Sequence, residues 1–442
     1  MKVTRAYRFA LDPSPAKERA LRSHAGAARF AWNWGLARCL ERYAAEGRWY
    51  GGVELHRLWN VAKKCDPALA WWTENSKSVY QEAFRDLDRA LRDFVASRTG
   101  RRKGKPVGFP RFKKRGRCRD SCRFSARPLR CAGSTVTLPR LGTISTHEST
   151  RKLARRLDAG TARILSATVS RTAQRWFVSF TVEVDGAVAA GHSRPGSAIG
   201  VDLGVRTLVT GVDDRGTVVR AEGPRALLSA LRKLRRANRA LTRAASGSAN
   251  RRKRAARLAR IHAQVANVRV DALHKVTTDL ARRYETVVAE DLNVAGMVRN
   301  RRLARAISDQ GFGQARRMLA YKTAWNSGNL ILAGRFYPSS KTCSGCGAVK
   351  AKLALSERTY RCDVCGLVLD RDVNAARSLL NLAVSGTESR NACRAWARPV
   401  SDGRRAQSRP GRKQEPGTAY AGKTGTAGPQ GSAASHGLSR VR

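Results

Sequence analysis

Apolar and polar positions alternate through the start of the chain. In VTRAYRFAL, residues 3–11, the pattern predicts a half-buried β-strand, and Asp12-Pro13-Ser14-Pro15 ends it. From about Ala16 to Val95 the period lengthens to three and four residues. HAGAARFAWNWGLARCLERYAAEG and SVYQEAFRDLDRALRDFVAS both carry it, the second through Val79, Phe84, Leu87, Leu91 and Val95, which predicts a helical domain. RCRDSCRFS, STVTLPRLGTIST and TARILSATVSRTAQRWFVSFTVEV then read as short strands split by Gly, Pro and polar turns. With the first strand they predict a small β-barrel into which the helical domain is inserted.

The pattern changes again at Ala198. SAIGVDLGVRTLVTGVDDRGTVV reads as strand, tight turn, strand, Asp-Asp-Arg-Gly turn, strand, the meander that opens a ribonuclease H-like sheet. Residues 224–245 and 250–284 predict a helical hairpin around Ser246-Gly247-Ser248-Ala249, with a basic tip at Arg251 to Arg254. Its second helix places Leu258, Ile261, Val265, Val268, Ala272, Val276 and Leu280 on one stripe. TVVAEDL predicts a buried strand, SDQGFGQARRMLAYKTAWNSG a helix, and NLILAGRFY another strand. From Ser385 onward Gly, Ser, Ala, Arg and Pro dominate without periodicity, which predicts a disordered basic tail over 385–442.

Charge narrows the function classes. The 442 residues carry 86 Lys+Arg against 33 Asp+Glu, a net charge of +53, and a polyanion is what relieves such self-repulsion. Nucleic acid is the expected partner, and the 42% hydrophobic content is more than a histone-like structural protein needs. No apolar run is long enough to span a membrane, and the N-terminus has no secretory pattern, so no membrane partner is expected. Residues 101–117 hold nine Lys or Arg with Pro106, Phe109, Pro110 and Phe112 interleaved. That composition suits an ordered loop on a phosphate backbone, with Arg111, Lys113, Lys114 and Arg115 as contacts, or else a solvated linker.

Two clusters carry chemistry. Cys343-x2-Cys346 and Cys362-x2-Cys365, each followed by Gly, have the spacing of a four-thiolate Zn²⁺ site, which has no open position and is therefore structural. Cys118, Cys122 and Cys131 have no fourth partner nearby, and Cys39, Cys65 and Cys393 are isolated; all read as core or free thiols. Asp202 ends one apolar run and Glu290 another, while Asp370 and Asp372 stand in LDRDVNAARSLL directly after the second cysteine pair. Gly200 and Gly204 beside Asp202 read as positions kept bare for an approaching phosphate backbone. Three acids at element boundaries are the oxygen ligands that two Mg²⁺ ions need to activate water and stabilise a leaving oxyanion in phosphodiester hydrolysis.

GVDLGVRTL, VVAEDLNVAGM, the CSGCG and YRCDVCG pair and DRDVNAA, in this order, resemble the transposon-encoded TnpB proteins, relatives of the compact type V CRISPR effector nucleases. The resemblance covers about residues 1–384. It implies a multidomain α+β and α/β chain: a β-barrel (wedge-like) domain over 1–20 and 118–188, and a helical recognition domain over 21–117. A RuvC-like nuclease domain over 189–384 would follow, with a zinc ribbon at 338–368. The catalytic triad would fall on Asp202, Glu290 and Asp372, with Asp370 as the close alternative for the third position. The family binds an RNA derived from the end of its own transposon and cuts double-stranded DNA beside a short motif, which implies a cytoplasmic, nucleoid-associated prokaryotic protein. Lys77 and Gln81 match positions that contact that motif, and their spacing puts them on one helix face. SSKTCS departs from the Thr-Ser-Gln that many relatives carry before the first cysteine, without touching the four ligands. A guide-bound regulator of transposition that does not cut, and a junction resolvase that uses no RNA, are the competing functions. The first expects a lost carboxylate, and the second has no use for the N-terminal half.

Overall fold

The computed structural model describes residues 2–125, 129–185, 192–354, 356–384 and 390–391; Cys393 and the expected basic tail lie outside them, apart from that last pair. The expected first strand is β1 (Lys2–Asp12). α1 (Pro15–Glu46) follows, with Ser14 Oγ accepting from the Lys17 N–H, Pro15 in the first turn and Gly47 at φ 67 as the left-handed stop. α2 (Gly52–Cys65), a 3-10 turn (Pro67–Glu74) and α3 (Lys77–Arg98) complete the helical segment. α1 and α3 pack at Gly35, where an added Cβ would lie 3.1 Å from Phe84 and Leu87. Val79, Phe84, Leu87 and Leu91 are buried as the periodicity predicts, whereas Val95 is 40% exposed because α3 outruns the core.

β2 (Ser121–Ser125), β3 (Arg130–Ala132), β4 (Thr135–Leu138), β5 (Gly142–Thr146), α4 (Arg151–Asp158), β6 (Ala162–Thr172) and β7 (Arg175–Asp185) follow. With β1 they form a seven-stranded sheet in the order β2-β6-β7-β1-β5-β4-β3. β1 joins its two halves: residues 2–10 pair antiparallel with β7, and Leu11 and Asp12 pair with β5. β2 and β3 stand at opposite edges, so among the described residues hydrogen bonding does not close the expected barrel. The inserted helices share their hydrophobic core with the sheet. Leu36, Trp59 and Phe84 belong to one hydrophobic cluster with Phe124, Val136 and Phe180 of the sheet.

The second half begins with β8 (Arg194–Asp202), β9 (Val209–Asp213) and β10 (Val218–Ala221), an antiparallel meander. α5 (Ala226–Thr242) and α6 (Ala249–Arg283) form the expected hairpin. Its basic tip is partly structural, since Arg251 donates to the carbonyls of Leu241 and Ala244 and Arg254 to that of Ala240, capping the end of α5. α6 buries Val265, Leu273, Thr277, Leu280 and Ala281; Val268, expected on the stripe, is 43% exposed, because the hydrophobic face is set by what packs on the helix along its length.

β11 (Tyr284–Glu290) adds parallel to β8 and is followed by α7 (Val294–Met297), α8 (Ala304–Gln310) and α9 (Phe312–Trp325), the last two separated at Gly311, φ 72. β12 (Asn329–Ala333) adds parallel to β11; β13 (Thr359–Arg361) and β14 (Val368–Asp370) form a separate two-stranded ribbon; α10 (Arg371–Val384) and β15 (Arg390–Asn391) end the described chain. The six-stranded sheet runs β10-β9-β8-β11-β12-β15, an antiparallel meander extended by two parallel strands and an antiparallel edge strand. Among the described residues no helix is long and apolar enough to cross a membrane.

Candidate active site and metal centre

β8 and β11 are parallel neighbours, so Asp202 and Glu290 end adjacent strands on the same side of the sheet. α10 brings the third acid to them through a close helix–strand contact. A Cβ on Gly200 would lie 2.0 Å from the Ala376 carbonyl and 2.6 Å from the Leu380 nitrogen, so β8 and α10 touch backbone to backbone there. Ala375 and Ala376, both buried, keep that face of α10 thin. Gly200 is thus bare for α10 and not for a phosphate, and Gly204 is bare for its own turn, where a Cβ would meet the Thr207 carbonyl at 2.6 Å.

Electrostatics register the meeting of the three acids. Burial first, then the charges of Glu290 and Asp372, push the Asp202 carboxyl up to about 8, with Arg371 opposing. Burial also raises Glu290, against a hydrogen bond that Ser339 Oγ donates to its Oε1. Asp213, 1% exposed, shows the contrast: burial alone would raise it, but it accepts from the Arg194 guanidinium and from the N–H groups of Arg215 and Thr217, and its carboxyl is lowered. Asp213 is satisfied by protein donors, whereas Asp202 faces like charge, the condition a bound cation relieves.

Asp370 and Asp372 have different surroundings. Asp370 Oδ1 accepts from the N–H groups of Asp372 at 3.0 Å and Val373 at 3.1 Å, the arrangement of a helix N-cap. Asp372 stands in the first turn of α10 and its charge reaches Asp202.

The four cysteines converge independently. Their sulfurs all lie within 4.8 Å of one another, with Cys343 to Cys365 and Cys346 to Cys362 at 3.6 Å. A tetrahedral zinc with Zn–S bonds near 2.3 Å sets sulfurs about 3.8 Å apart, so the donor set fits this metal. Gly347 (φ 76) and Gly366 (φ 71) turn the chain after each pair in the left-handed region. The N–H groups of Cys365 and Val364 aim at Cys362 and lower its thiol to about 6, readying it as a ligand. Among the described residues no other group of three or more His, Cys, Asp or Glu forms such a cluster; the carboxylates do not. Burial raises the thiols of Cys122 to about 12 and Cys131 to about 11, as expected of core cysteines.

Sequence reasoning missed what joins these two centres. Asn374, fully buried, donates to the Thr342 carbonyl at 2.8 Å and accepts from the Ser344 N–H at 3.0 Å, and Asn381 donates to the Ser344 carbonyl. Arg371 donates to the carbonyls of Ala354 and Glu357. α10 therefore grips the first cysteine turn two residues beyond Asp372. A buried Asn in the helix DRDVNAARSLL was the signal available.

The basic loop is ordered. The Asn33 side chain brackets Lys113, donating to its carbonyl and accepting from its N–H, and the Trp32 indole donates to the Arg111 carbonyl. Lys113 Nζ lies 3.5 Å from the centre of the Trp32 ring, and burial lowers its pKa. Arg111, Lys114 and Arg115 remain exposed. Arg115 joins Arg22, Arg29, Arg119, Arg171 and Arg260 on the wall of a cleft of about 1220 Å³ between α1, this loop and α6. Lys77 opens α3, exposed, with Gln81 one turn on and half-buried; burial first, and then the Lys77 charge, lower His56 and Lys63.

Family models match three stretches: one for a probable transposase, OrfB of IS605 type, over residues 178–301, a Cas12f1-like TNB domain over 312–379, and a helix-turn-helix domain of OrfB over 1–48. In this structure residues 1–48 hold β1 and one uninterrupted helix. A Mycobacterium tuberculosis protein named "Putative RNA-guided DNA endonuclease" is 38% identical over 394 residues, covering 85% of each chain. A Streptomyces pristinaespiralis protein of the same name is 35% identical over 95% of this chain and 98% of its own, and Escherichia coli "Putative RNA-guided DNA endonuclease InsQ" is 32% identical over 86% and 92%. Among solved structures, a Cas12f1–sgRNA–target DNA complex aligns with a TM-score of 0.52 at 11% identity, over 86% of this chain and 99% of that one, a likeness of fold.

Proposed function

Because the chain belongs to the transposon-encoded TnpB family, whose curated relatives are named RNA-guided DNA endonucleases, we propose that it cuts double-stranded DNA beside a short motif, directed by a guide RNA from its transposon's end. Asp202, Glu290 and Asp372 are the catalytic carboxylates in this reading, and the four cysteines hold a structural zinc. The order of the six-stranded sheet, a meander followed by parallel strands, supports a RuvC-like, ribonuclease H-like domain over 189–384, with the zinc ribbon at 338–368. The N-terminal sheet (1–20 and 118–188) and the helices with the basic loop (21–117) are read as the part that holds guide and target, although they share one core. The protein would act in the cytoplasm, at the nucleoid.

The observation that carries the assignment is the elevation of Asp202, by burial first and then by the negative charges of Glu290 and Asp372, with Arg371 opposing. Asp202, Glu290 and Asp372 would hold a pair of Mg²⁺ ions, which would supply an activated water and a stabilised leaving oxygen. Ser339 orients Glu290 through its hydrogen bond, Asp370 fixes the turn that presents Asp372, and Arg371 offsets part of the excess negative charge. The ribbon acts at a distance, through Asn374 and Arg371, by setting where α10 begins. Sequence would be read by the guide through base pairing, and the protein would read phosphate and duplex shape, which suits dispersed Lys and Arg. Lys77 and Gln81 would read the motif. No observation favours the non-cleaving regulator, since all three acids are present.

The test is co-purification and sequencing of bound RNA, then Mg²⁺-dependent cleavage of a matching target. Guide-matched cuts beside a fixed motif support the reading; cleavage indifferent to the loaded RNA contradicts it.

A further inference from the structure

Two acids stand side by side at the end of β11, Glu290 and Asp291, and packing sends them to opposite faces of the sheet. Successive side chains of a strand alternate between faces. Val288 clusters with Leu379 of α10, whereas Ala289 clusters with Ala315, Met318 and Leu319 of α9. Glu290 continues the Val288 face, toward the helix that carries Asp372. Asp291 continues the Ala289 face, and Arg316 of α9 donates to its Oδ1.

The second oxygen of Asp291 holds a separate segment. Arg335, just beyond β12, donates to Oδ2 from Nε at 3.2 Å and from Nη2 at 2.8 Å. Two residues on, the Tyr337 hydroxyl bonds Ser378 Oγ of α10 at 2.9 Å. Two further on, the buried Ser339 donates to Glu290. Residues 335–339 thus touch Asp291, the helix of Asp372 and Glu290 in turn. Contacts from two guanidiniums are charge-assisted and strong, and they occupy both oxygens of Asp291, so it is not available as a fourth carboxylate for a metal.

We propose that Asp291 is a positioning residue: gripped by Arg316 and Arg335, it braces residues 335–339 and thereby fixes where Glu290 stands relative to Asp202 and Asp372. It touches neither metal nor DNA and acts through Glu290. This rests on the nuclease reading above. Partners that orient a metal ligand typically carry about 10–100-fold in metal affinity or activity, and here the loss falls on the affinity for Mg²⁺.

Two variants of the guide-loaded protein test it. Asp291→Asn keeps the shape and removes the charge, while Arg335→Ala removes the other partner at a side chain 54% exposed, where folding is least at risk. Both should raise the Mg²⁺ concentration for half-maximal cleavage at least about tenfold, with the rate at saturating Mg²⁺ within about threefold of wild type. The double variant should be no worse than the stronger single, since both break one brace. An unchanged Mg²⁺ requirement overturns the proposal, even if the melting temperature falls, because that is what support of the fold alone would give. A loss that no Mg²⁺ concentration recovers also overturns it and makes Asp291 a ligand itself. Hydrogen exchange reads the brace without activity: the amides of residues 335–340 should exchange at least about fivefold faster in both variants while β8 keeps its wild-type protection. Unchanged exchange in residues 335–340 overturns the proposal whether or not the protein cuts. A wild-type protein that loads RNA and cuts nothing instead defeats the nuclease reading, and exchange still decides whether Asp291 braces the segment.

Discussion

Asp370 Oδ1 accepts a hydrogen bond from the backbone N–H of Asp372 at 3.0 Å, so the first acid of the pair shapes the turn and the second is delivered by it. Two acids two residues apart, indistinguishable by type, are separated by this bond. Asp370→Ala should cost about 0.5–2 kcal/mol of stability, the usual range for a lost cap, and leave substantial cleavage. Asp372→Ala should leave the melting temperature nearly unchanged and abolish cutting. Calorimetry beside a cleavage assay distinguishes them; an inactive Asp370→Ala with an active Asp372→Ala reverses the assignment.

Gly200→Ala tests the contact that brings α10 to β8. The new Cβ would stand 2.0 Å from the Ala376 carbonyl, so the helix must shift, at a cost of about 1–3 kcal/mol typical of overpacking. Asp372 moves with the helix. Cleavage should drop more than tenfold while RNA loading, assigned in the proposed reading to the other half of the chain, is retained. Normal cleavage would show that the acids tolerate a displaced α10.

Replacing Cys343 or Cys362 by Ser should lower zinc content well below one per chain, because a four-thiolate site contributes folding energy through its metal. Asn374→Ala should keep zinc but loosen α10, with faster amide exchange over residues 371–376 and slower cleavage. Zinc analysis paired with hydrogen exchange separates the two; full-strength cleavage by zinc-free folded protein would remove the ribbon from the account.

The basic loop should divide by residue. Lys114→Ala with Arg115→Ala should weaken nucleic-acid binding regardless of sequence and make its salt slope shallower, while Lys113→Ala should act mainly on stability, because its ammonium rests on Trp32. Fluorescence anisotropy across a salt series decides; an unchanged slope in the double variant returns these side chains to a solvated linker.

Metal binding should release a proton. A carboxyl raised to about 8 is protonated near pH 6, so loading Mg²⁺ should displace close to one proton there, half at about pH 8 and little above pH 9. The same elevation fixes the sign for the metal-free fold. Asp202 is neutral in both states below about pH 4, the unfolded value, and its burial penalty grows as pH rises toward 8 and is constant beyond. Titration calorimetry in buffers of different ionisation heat measures the release; buffer-independent heats at pH 6 would contradict the elevated group.

What could be read in advance followed from locality. A strand's period, a Ser-Pro helix start, and two Cys-x2-Cys-Gly turns are decided by residues a few positions apart, and so are the ends of β8 and β11 that carry Asp202 and Glu290. What could not be read depends on partners distant in the chain. Gly200 looks like a bare surface position until α10 is laid on it, and Val95 and Val268 continue a periodic stripe past the point where anything packs on it. Closure of the barrel was not legible for the same reason: alternation identifies strands, but closure depends on whether the two edge strands meet, which among the described residues they do not. Lys113 reads as one more cation in a run, and only Trp32 and Asn33, far earlier in sequence, make it an anchor.

The central claim is that Asp202, Glu290 and Asp372 act on chemistry while other parts of the protein hold guide and target. The most direct measurement compares target-DNA affinity with Mg²⁺-dependent single-turnover cleavage for guide-loaded wild type and the three single Ala variants. The account predicts affinities within about twofold of wild type and cleavage reduced by orders of magnitude in all three, with no further loss on combining them, as when one group completes a unit. Cleavage at wild-type rate by Asp202→Ala, with target still bound, would contradict it.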